Sequence, residues 1–377
     1  MKFNEIICFP SIDWNHSWER QQELMYRLSI HYSDVNIKVI KPLGLINHNI
    51  INLLKKIQER FENEKKVVVH ENKKTKNMNF INIFYIPIHF NRLFNLINYY
   101  LLSKKIEMND NSLMWATYIN GFTFIQFKKA KYKVLDLATR RQVNEELSTE
   151  AKLLEIEAIK IADCIFVDNY NTFLDYEKYN TNIYYVPQGV DCNNFSSDNV
   201  AEEYKYLKEN KRYIVGYCGN LHQFVDYKLL ESVISEMHNY IFMFVGNIMD
   251  SRAENLKQYQ NVIFTGFKEH KELYKYYNLF DIGLIPYTVE PFTTGVYPTK
   301  FLEYTISNVP VLSSKLPDLE RYNLDFLEIY EGKEEFIKKL EILKLRKVNK
   351  NDIKEFIEKN TWDNRFEVII SEMKKIK

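Results

Sequence analysis

Apolar residues fall along this chain in short runs, several of them unbroken, and between the runs they recur every three or four positions. The runs are Glu5–Pro10, Val35–Val39, Phe80–Pro87, Ser112–Tyr118, Tyr132–Leu137, Asp163–Asp168, Ile183–Val186, Tyr213–Cys218, Ile241–Val245, Asn261–Phe267, Phe280–Tyr287, Val309–Ser314 and Phe326–Tyr330. Unbroken runs bounded by turn residues predict strands covered on both faces, and the longer periodic stretches predict helices packed along one stripe. Helices are expected over Glu19–Ser29, His89–Ile106, Glu150–Ala162, Leu273–Tyr277, Pro298–Tyr304, Glu334–Leu345 and Phe366–Met373. This alternation predicts an α/β chain of parallel sheets with crossover helices. Residues 42–80 interrupt the rhythm with an amphipathic piece near Ile51–Ile57 and a charge-rich run from Glu59 through Lys76, which reads as solvated helix faces and loops.

The helix that opens at Pro298 carries the densest chemistry. Lys300 and Glu303 are three apart, so they share one face near its start. A cation and a carboxylate one turn apart can serve a nucleotide's diphosphate and the paired hydroxyls of its ribose. The free N–H groups of a helix start would add to that positive end. The same pair also suits a solvated helix with an ordinary i,i+3 contact. Strand–helix–strand patterns on both sides put the motif in a parallel sheet, and such sheets bind ligands beyond the carboxyl ends of their strands.

Taken in order, Asn261-Val-Ile-Phe-Thr-Gly-Phe267, Phe280-Asp-Ile-Gly-Leu-Ile-Pro-Tyr287, Pro298-Thr-Lys-Phe-Leu-Glu-Tyr304 and Val309-Pro-Val311 resemble the donor half of GT-B glycosyltransferases. The resemblance is to the group 1, or group 4-like, superfamily, of the bacterial cell-surface polysaccharide and teichuronic-acid type. Val186-Pro-Gln-Gly-Val-Asp191 resembles the segment that ends the first domain in that family, and Asn360-Thr-Trp-Asp-Asn-Arg365 resembles the start of its C-terminal helix. The resemblance implies two Rossmann-like doubly wound domains facing a central cleft. Their expected bounds are 1–194 for an acceptor domain, 195–212 for a linker, 213–359 for a donor domain, and 360–377 for a helix crossing back.

In function it implies a glycosyltransferase moving a sugar from a nucleotide-diphosphate sugar, UDP- or GDP-linked, to a saccharide or lipid-linked acceptor, with retention. Glu303 would hold the ribose. Lys300, the Gly219-Asn220 turn through its backbone N–H groups, the Gly246 turn, Phe267, and the loop Gly295, Val296, Tyr297, Pro298 and Thr299 would hold the rest of the donor. Relatives with a Glu-x7-Glu pair place a first glutamate where this chain has Gly295, and Glu290 lies thirteen residues before Glu303. A non-catalytic sugar-nucleotide-binding subunit and a nucleotide-sugar epimerase on the same fold are the alternative readings.

On the amino-terminal side, the loop 11–18 follows the first strand and contains Asp13, Trp14 and His16, with Arg20 just beyond it. Asp13, His16 and Arg20 suit an acceptor or a donor phosphate, and Trp14 suits either sugar stacking or a cover over the core. Asp136 and Arg140 lie at the carboxyl end of the strand at Tyr132, as acceptor-side groups or as an N-cap with exposed arginines. Gly189 permits the close approach of a ligand on the acceptor side. If the reaction inverted, Asp13, His16 or Asp136 would supply the base. The helix at His89, with Arg92, Lys104 and Lys105, reads as a core helix or as a membrane-facing one.

Composition narrows the classes. The chain's 377 residues give room for two domains, and 51 Lys+Arg against 50 Asp+Glu leave a net charge of +1, which excludes the global basic field of a nucleic-acid binder. Cys8, Cys164, Cys192 and Cys218 form no metal-ligand spacing, and no Asp-x-Asp motif is present, so neither metal nor another cofactor is expected. Without a leader pattern or long apolar span, the expected location is cytoplasmic, with the inner membrane face as the place to meet a lipid-linked acceptor.

Overall fold

The computed structural model describes residues 3–12, 14, 18–44, 75–86, 91–145, 147–192 and 199–376. Asp13 and His16 lie outside these residues, as do 45–74, which hold the amphipathic piece and most of the charge-rich run. The chain forms two compact units, Met1–Val186 with Phe366–Lys377, and Pro187–Arg365.

Every run read as a strand is one. The first unit has β1 (Glu5–Phe9), β2 (Asn36–Gly44), β3 (Met78–Tyr85), β4 (Ser112–Ala116), β5 (Tyr132–Leu137), β6 (Cys164–Val167) and β7 (Ile183–Tyr185). The second has β8 (Tyr213–Cys218), β9 (Tyr240–Val245), β10 (Val262–Gly266), β11 (Ile282–Ile285), β12 (Val311–Ser314) and β13 (Leu327–Tyr330). Their sheet orders are β3-β2-β1-β4-β5-β6-β7 and β10-β9-β8-β11-β12-β13, with every neighbouring pair parallel. Both are doubly wound, with the order reversing beside β1 and beside β8.

Strand β9 of the second sheet shows why a run is unbroken. Along β9, Ile241, Met243 and Val245 belong to one apolar core, while Phe242 and Phe244 belong to the other. Successive side chains point to opposite faces, so a sheet covered on both sides needs an apolar residue at every position. Helices Lys300–Ile306 and Lys350–Lys359 cover the first face, and Tyr227–Ile234 and Gly332–Leu345 the second.

Three expectations are corrected. Helix Arg92–Ser103 is only partly covered: it packs Leu102 and part of Tyr99 on the core of the first unit and leaves Leu93, Leu96, Tyr100 and Leu101 exposed. The stretch expected as a linker is not free beyond residue 198, because Ala201 and Leu207 pack into the core of the second unit. The 298–304 helix begins at Lys300 and tightens its first turn, with the N–H groups of Phe301 and Leu302 bonded to Pro298 and Thr299. Those N–H groups are therefore already used.

At the C-terminus, the Thr361 hydroxyl accepts the Asn364 N–H and starts helix Trp362–Met373, whose Phe366, Ile369, Ile370 and Met373 are buried. The residues from Phe366 onward are part of the first unit. All four cysteines are free thiols.

Candidate functional site

The two strands at the reversal point of the second sheet share only two rungs, Ile282 with Val215 and Gly283 with Gly216. Beyond them the strands part, and the Tyr304 hydroxyl fills the gap. It accepts the Cys218 N–H at 2.9 Å and lies 3.4 Å from the Leu284 carbonyl oxygen. Gly283 makes room for this ring, since a Cβ there would lie 2.4 Å from it. Tyr304 thus substitutes for strand pairing where the crevice opens, and it anchors the helix that carries Lys300 and Glu303.

The chain leaves β8 and β9 through two stacked glycine turns. Gly219 and Gly246 have φ of +144° and +145°, a region L side chains rarely adopt, and a Cβ on Gly246 would meet the Gly219 oxygen at 2.2 Å. A Cβ on Gly219 would lie 2.4 Å from Lys300 Cε and 2.8 Å from its Nζ. Gly219 was expected to present its N–H, but that N–H is bonded to the Val245 oxygen at 2.7 Å. What this glycine contributes is an uncovered path to the lysine.

The half-buried Lys300 ammonium sits 5.7 Å from the centre of the Tyr217 ring and 5.8 Å from that of Tyr287, within cation–π range. Burial works against its charge, but Tyr287 and Glu303 outweigh it, and its pKa is pushed up to about 12. Lys300 is therefore a cation at any physiological pH. One turn on, Glu303 accepts a hydrogen bond at 2.7 Å from the hydroxyl of Tyr277, a fully buried residue. That bond fixes the carboxylate, and the sequence reading missed it.

Two loops wall this crevice. Val225 bridges Tyr287 antiparallel, the Asp226 N–H bonds the Pro286 oxygen, the Thr288 N–H bonds the Phe224 oxygen, and the Phe224 and Phe292 rings stack at 4.5 Å. His222 lies in the first loop, where its Nδ1 accepts the Phe224 N–H. Burial, and then the charge of Lys300, hold its pKa below the usual histidine range. In the second loop, Thr293 bonds Thr288 and Glu290 and holds a tight turn. Glu290 is exposed, with its carboxylate on the Thr288 hydroxyl.

The other donor-side candidates divide. Gly295, Tyr297 and Pro298 are buried, and the Tyr297 hydroxyl is 3.3 Å from that of Tyr322; Val296 is partly buried. Asn220, Thr299 and Phe267 are exposed.

In the first unit, Arg20 and Asp136 form a buried pair at 2.8 Å, and the guanidinium also donates to the Val186 oxygen at 2.8 Å. Burial raises the pKa of Asp136 although Arg20 opposes it. Trp14 is buried edge-on to Phe80 at 5.2 Å, as a cover over the core. Arg140 makes a two-bond pair with Asp175. Gly189 does permit a close approach, but it belongs to the second unit and the group that approaches is Trp362. A Cβ on it would lie 2.7 Å from that residue's backbone, which corrects its expected role beside a ligand.

Residues 212–342 match the family model described as glycosyl transferases group 1. TuaH of Bacillus subtilis (strain 168), named as a teichuronic acid biosynthesis glycosyltransferase, is 27% identical over 154 residues, or 40% of this chain and 39% of TuaH. The match thus spans well under half of that relative's length. HepE of Anabaena, solved with UDP and glucose, superposes with a TM-score of 0.66 at 11% identity over 99% of this chain and 100% of its own. Sucrose-phosphate synthase from Thermosynechococcus elongatus does so with a TM-score of 0.68 at 13% identity over 99% of each chain. At these identities the structures establish the fold, two Rossmann-like units of the GT-B kind, and residues 212–342 of the second unit are similar to the group 1 glycosyl transferases.

Proposed function

We propose that the protein is a glycosyltransferase that moves a sugar from a nucleotide-diphosphate sugar to a saccharide or lipid-linked acceptor in cell-surface polysaccharide synthesis. The observation that carries this reading is the placement of Lys300 beneath the uncovered Gly219 turn, with Glu303 one helical turn on, where the strand order reverses. The Glu303 carboxylate, fixed by Tyr277, accepts from the two ribose hydroxyls. The Lys300 ammonium meets the diphosphate and stabilises the charge that develops as it departs. Its position is set before the donor arrives, so little reorganisation is needed.

The acceptor is assigned to the first unit, and transfer to retention. Lys300 supplies the positive charge, so the reaction is assigned no metal; EDTA should leave turnover unchanged, and NMR of the product anomer reports the stereochemistry. UDP and GDP are the first nucleotides to test. The decisive experiment is thermal unfolding with UDP, GDP, CDP, dTDP and CMP, on wild type and Glu303→Ala. A ligand at about a hundred times its Kd adds roughly 2.7 kcal/mol. One diphosphate should stabilise the wild type and lose that effect in the variant. No shift with any nucleotide would overturn the reading.

Membrane contact belongs to the same proposal. No helix among the described residues is long and apolar enough to cross a membrane. Helix Arg92–Ser103 turns Leu93, Leu96 and Tyr100 outward, beside Lys104 over the Tyr100 ring. Apolar groups flanked by cations suit the interface of an anionic bilayer, on its cytoplasmic side. Co-sedimentation with phosphatidylglycerol vesicles, weakened in Leu93→Ser/Leu96→Ser and absent with phosphatidylcholine, is the expected result. Equal recovery with both vesicles would remove this part of the proposal.

A further inference from the structure

A second cavity, of about 240 Å³, lies in the same unit at the carboxyl ends of β12 and β13, beside the N-terminal ends of helices Tyr227–Ile234 and Gly332–Leu345. Leu229, Val289 and the ring of Tyr287 give it apolar walls, and Asp226, Ser314 and Tyr330 give it polar ones. Ser314 Oγ and Tyr330 Oη are buried, in residues 3% and 2% exposed, and neither has a hydrogen-bond partner among the described residues. A buried hydroxyl left unpaired costs about 1–3 kcal/mol. Both belong to residues that line one cavity, and a ligand there is the partner that the described residues do not supply.

We propose that this cavity binds a single neutral polyhydroxylated ring, a monosaccharide. Each hydroxyl of the site can both donate and accept, which matches a sugar hydroxyl and not a purely accepting anion. Asp226 spends one carboxylate oxygen on the Leu229 N–H at 3.0 Å, and its carboxylate is an acceptor for a sugar O–H. Lys315 at the rim is paired with Glu331 at 3.0 Å, so the cavity has no surplus cation for a phosphate or carboxylate ligand. The apolar walls suit the C–H faces of a pyranose. The volume is below the roughly 300 Å³ at which drug-sized sites begin, so one ring is the limit.

Tyr287 forms a wall here and also lies 5.8 Å from the Lys300 ammonium, so the two sites adjoin without sharing Lys300 or Glu303. The proposal goes beyond the nucleotide reading and stands or falls separately.

NMR titration of the full chain with glucose, N-acetylglucosamine and glycerol tests it. At least one of the two sugars should bind. Ser314→Ala and Tyr330→Phe should each weaken that binding about three- to tenfold, the worth of one hydrogen bond. Both variants should melt at or above the wild-type temperature, because each removes an unpartnered hydroxyl. Glu303→Ala should leave sugar binding intact while its loss of nucleotide response reports on the other site. The proposal is overturned if neither sugar binds the wild type, if binding survives unchanged in the double variant, or if Glu303→Ala abolishes it.

Discussion

The two units open the same kind of sheet and do different things with the opening. Both strand orders reverse beside their first strand, so topology marks equivalent places. In the first unit the charges at the carboxyl ends are spent on each other. Arg20 reaches from the start of its helix to Asp136 on β5 and to the Val186 carbonyl after β7, and the side chains of the pair are 2% and 1% exposed. In the second unit Gly219 keeps a side chain off Lys300, Gly246 makes room for the Gly219 backbone, and tyrosines hold the charges of Lys300 and Glu303 in place. One opening is clamped by its ions. The other keeps a cation and a carboxylate side by side, each supported by neutral hydroxyls and rings. A shared fold therefore says where to look, and the partners of each charge say what the place does.

The sharpest way to break the comparison is to remove one charge from each opening. Asp136→Ala leaves Arg20 buried without its carboxylate, and breaking a buried pair from one side costs about 3–5 kcal/mol. Lys300→Ala should change stability by much less and should abolish the diphosphate response. Urea unfolding of both variants, with and without nucleotide, gives the contrast directly. If Asp136→Ala proved mild, the first opening would be less of a clamp than its geometry says.

Gly219→Ala comes next. Its φ of +144° and the Cβ position 2.4 Å from Lys300 Cε force either the turn or the lysine to move. A non-glycine residue in such a region costs about 1–3 kcal/mol. The expected outcome is a lower Tm together with loss of the nucleotide shift. A loss of stability with normal nucleotide affinity would show that the turn matters to the fold and not to the site.

Much of this contrast could be seen in the sequence, and the rest could not for a definite reason. All thirteen strands were legible as short apolar-rich runs: a doubly covered parallel strand must be apolar at every position, as β9 shows, while the edge strand β3 also carries Asn79 and Asn82. Lys300 and Glu303 were legible because three residues on a helix fix a shared face. Tyr277 was not, because its bond to Glu303 joins residues 26 apart in sequence and periodicity records only which face is apolar. The same limit hid the Tyr304 hydroxyl at the parting of β8 and β11, and made Gly189 read as a ligand contact when its neighbour is Trp362. Helix Arg92–Ser103 shows the converse: an apolar stripe says that a face wants cover, and not what covers it.

Tyr277→Phe should have a smaller effect than the changes above. It removes one hydroxyl from Glu303 and leaves the ring, which packs edge-on to Tyr304 at 5.4 Å. A bond to a charged group is worth about 1.5–3 kcal/mol, but water can replace part of it at a half-buried carboxylate. Nucleotide affinity should fall about tenfold with little change in Tm. A fall in Tm without a change in affinity would assign Tyr277 to packing alone.

The smallest expected effect is the pH response of His222. Its Nδ1 accepts the Phe224 N–H, so the neutral ring carries its proton on Nε2. Burial and Lys300 hold its pKa below 6.5, so the unfolded chain binds this proton more readily than the folded one. The stability it contributes is fully present above pH 6.5 and is lost as pH falls through the lowered value. His222→Gln should flatten that limb of the stability curve. A bound diphosphate should reverse the local balance, because its negative charge favours imidazolium where Lys300 disfavours it. Proton uptake would then accompany nucleotide binding, and affinity would rise as pH falls from about 7 to about 6. NMR titration of the His222 ring, with and without UDP, reads both effects, with UDP raising the pKa. An unchanged pKa would place the phosphates away from His222, leave Lys300 as their only cation in this crevice among the described residues, and make the second opening a one-charge site.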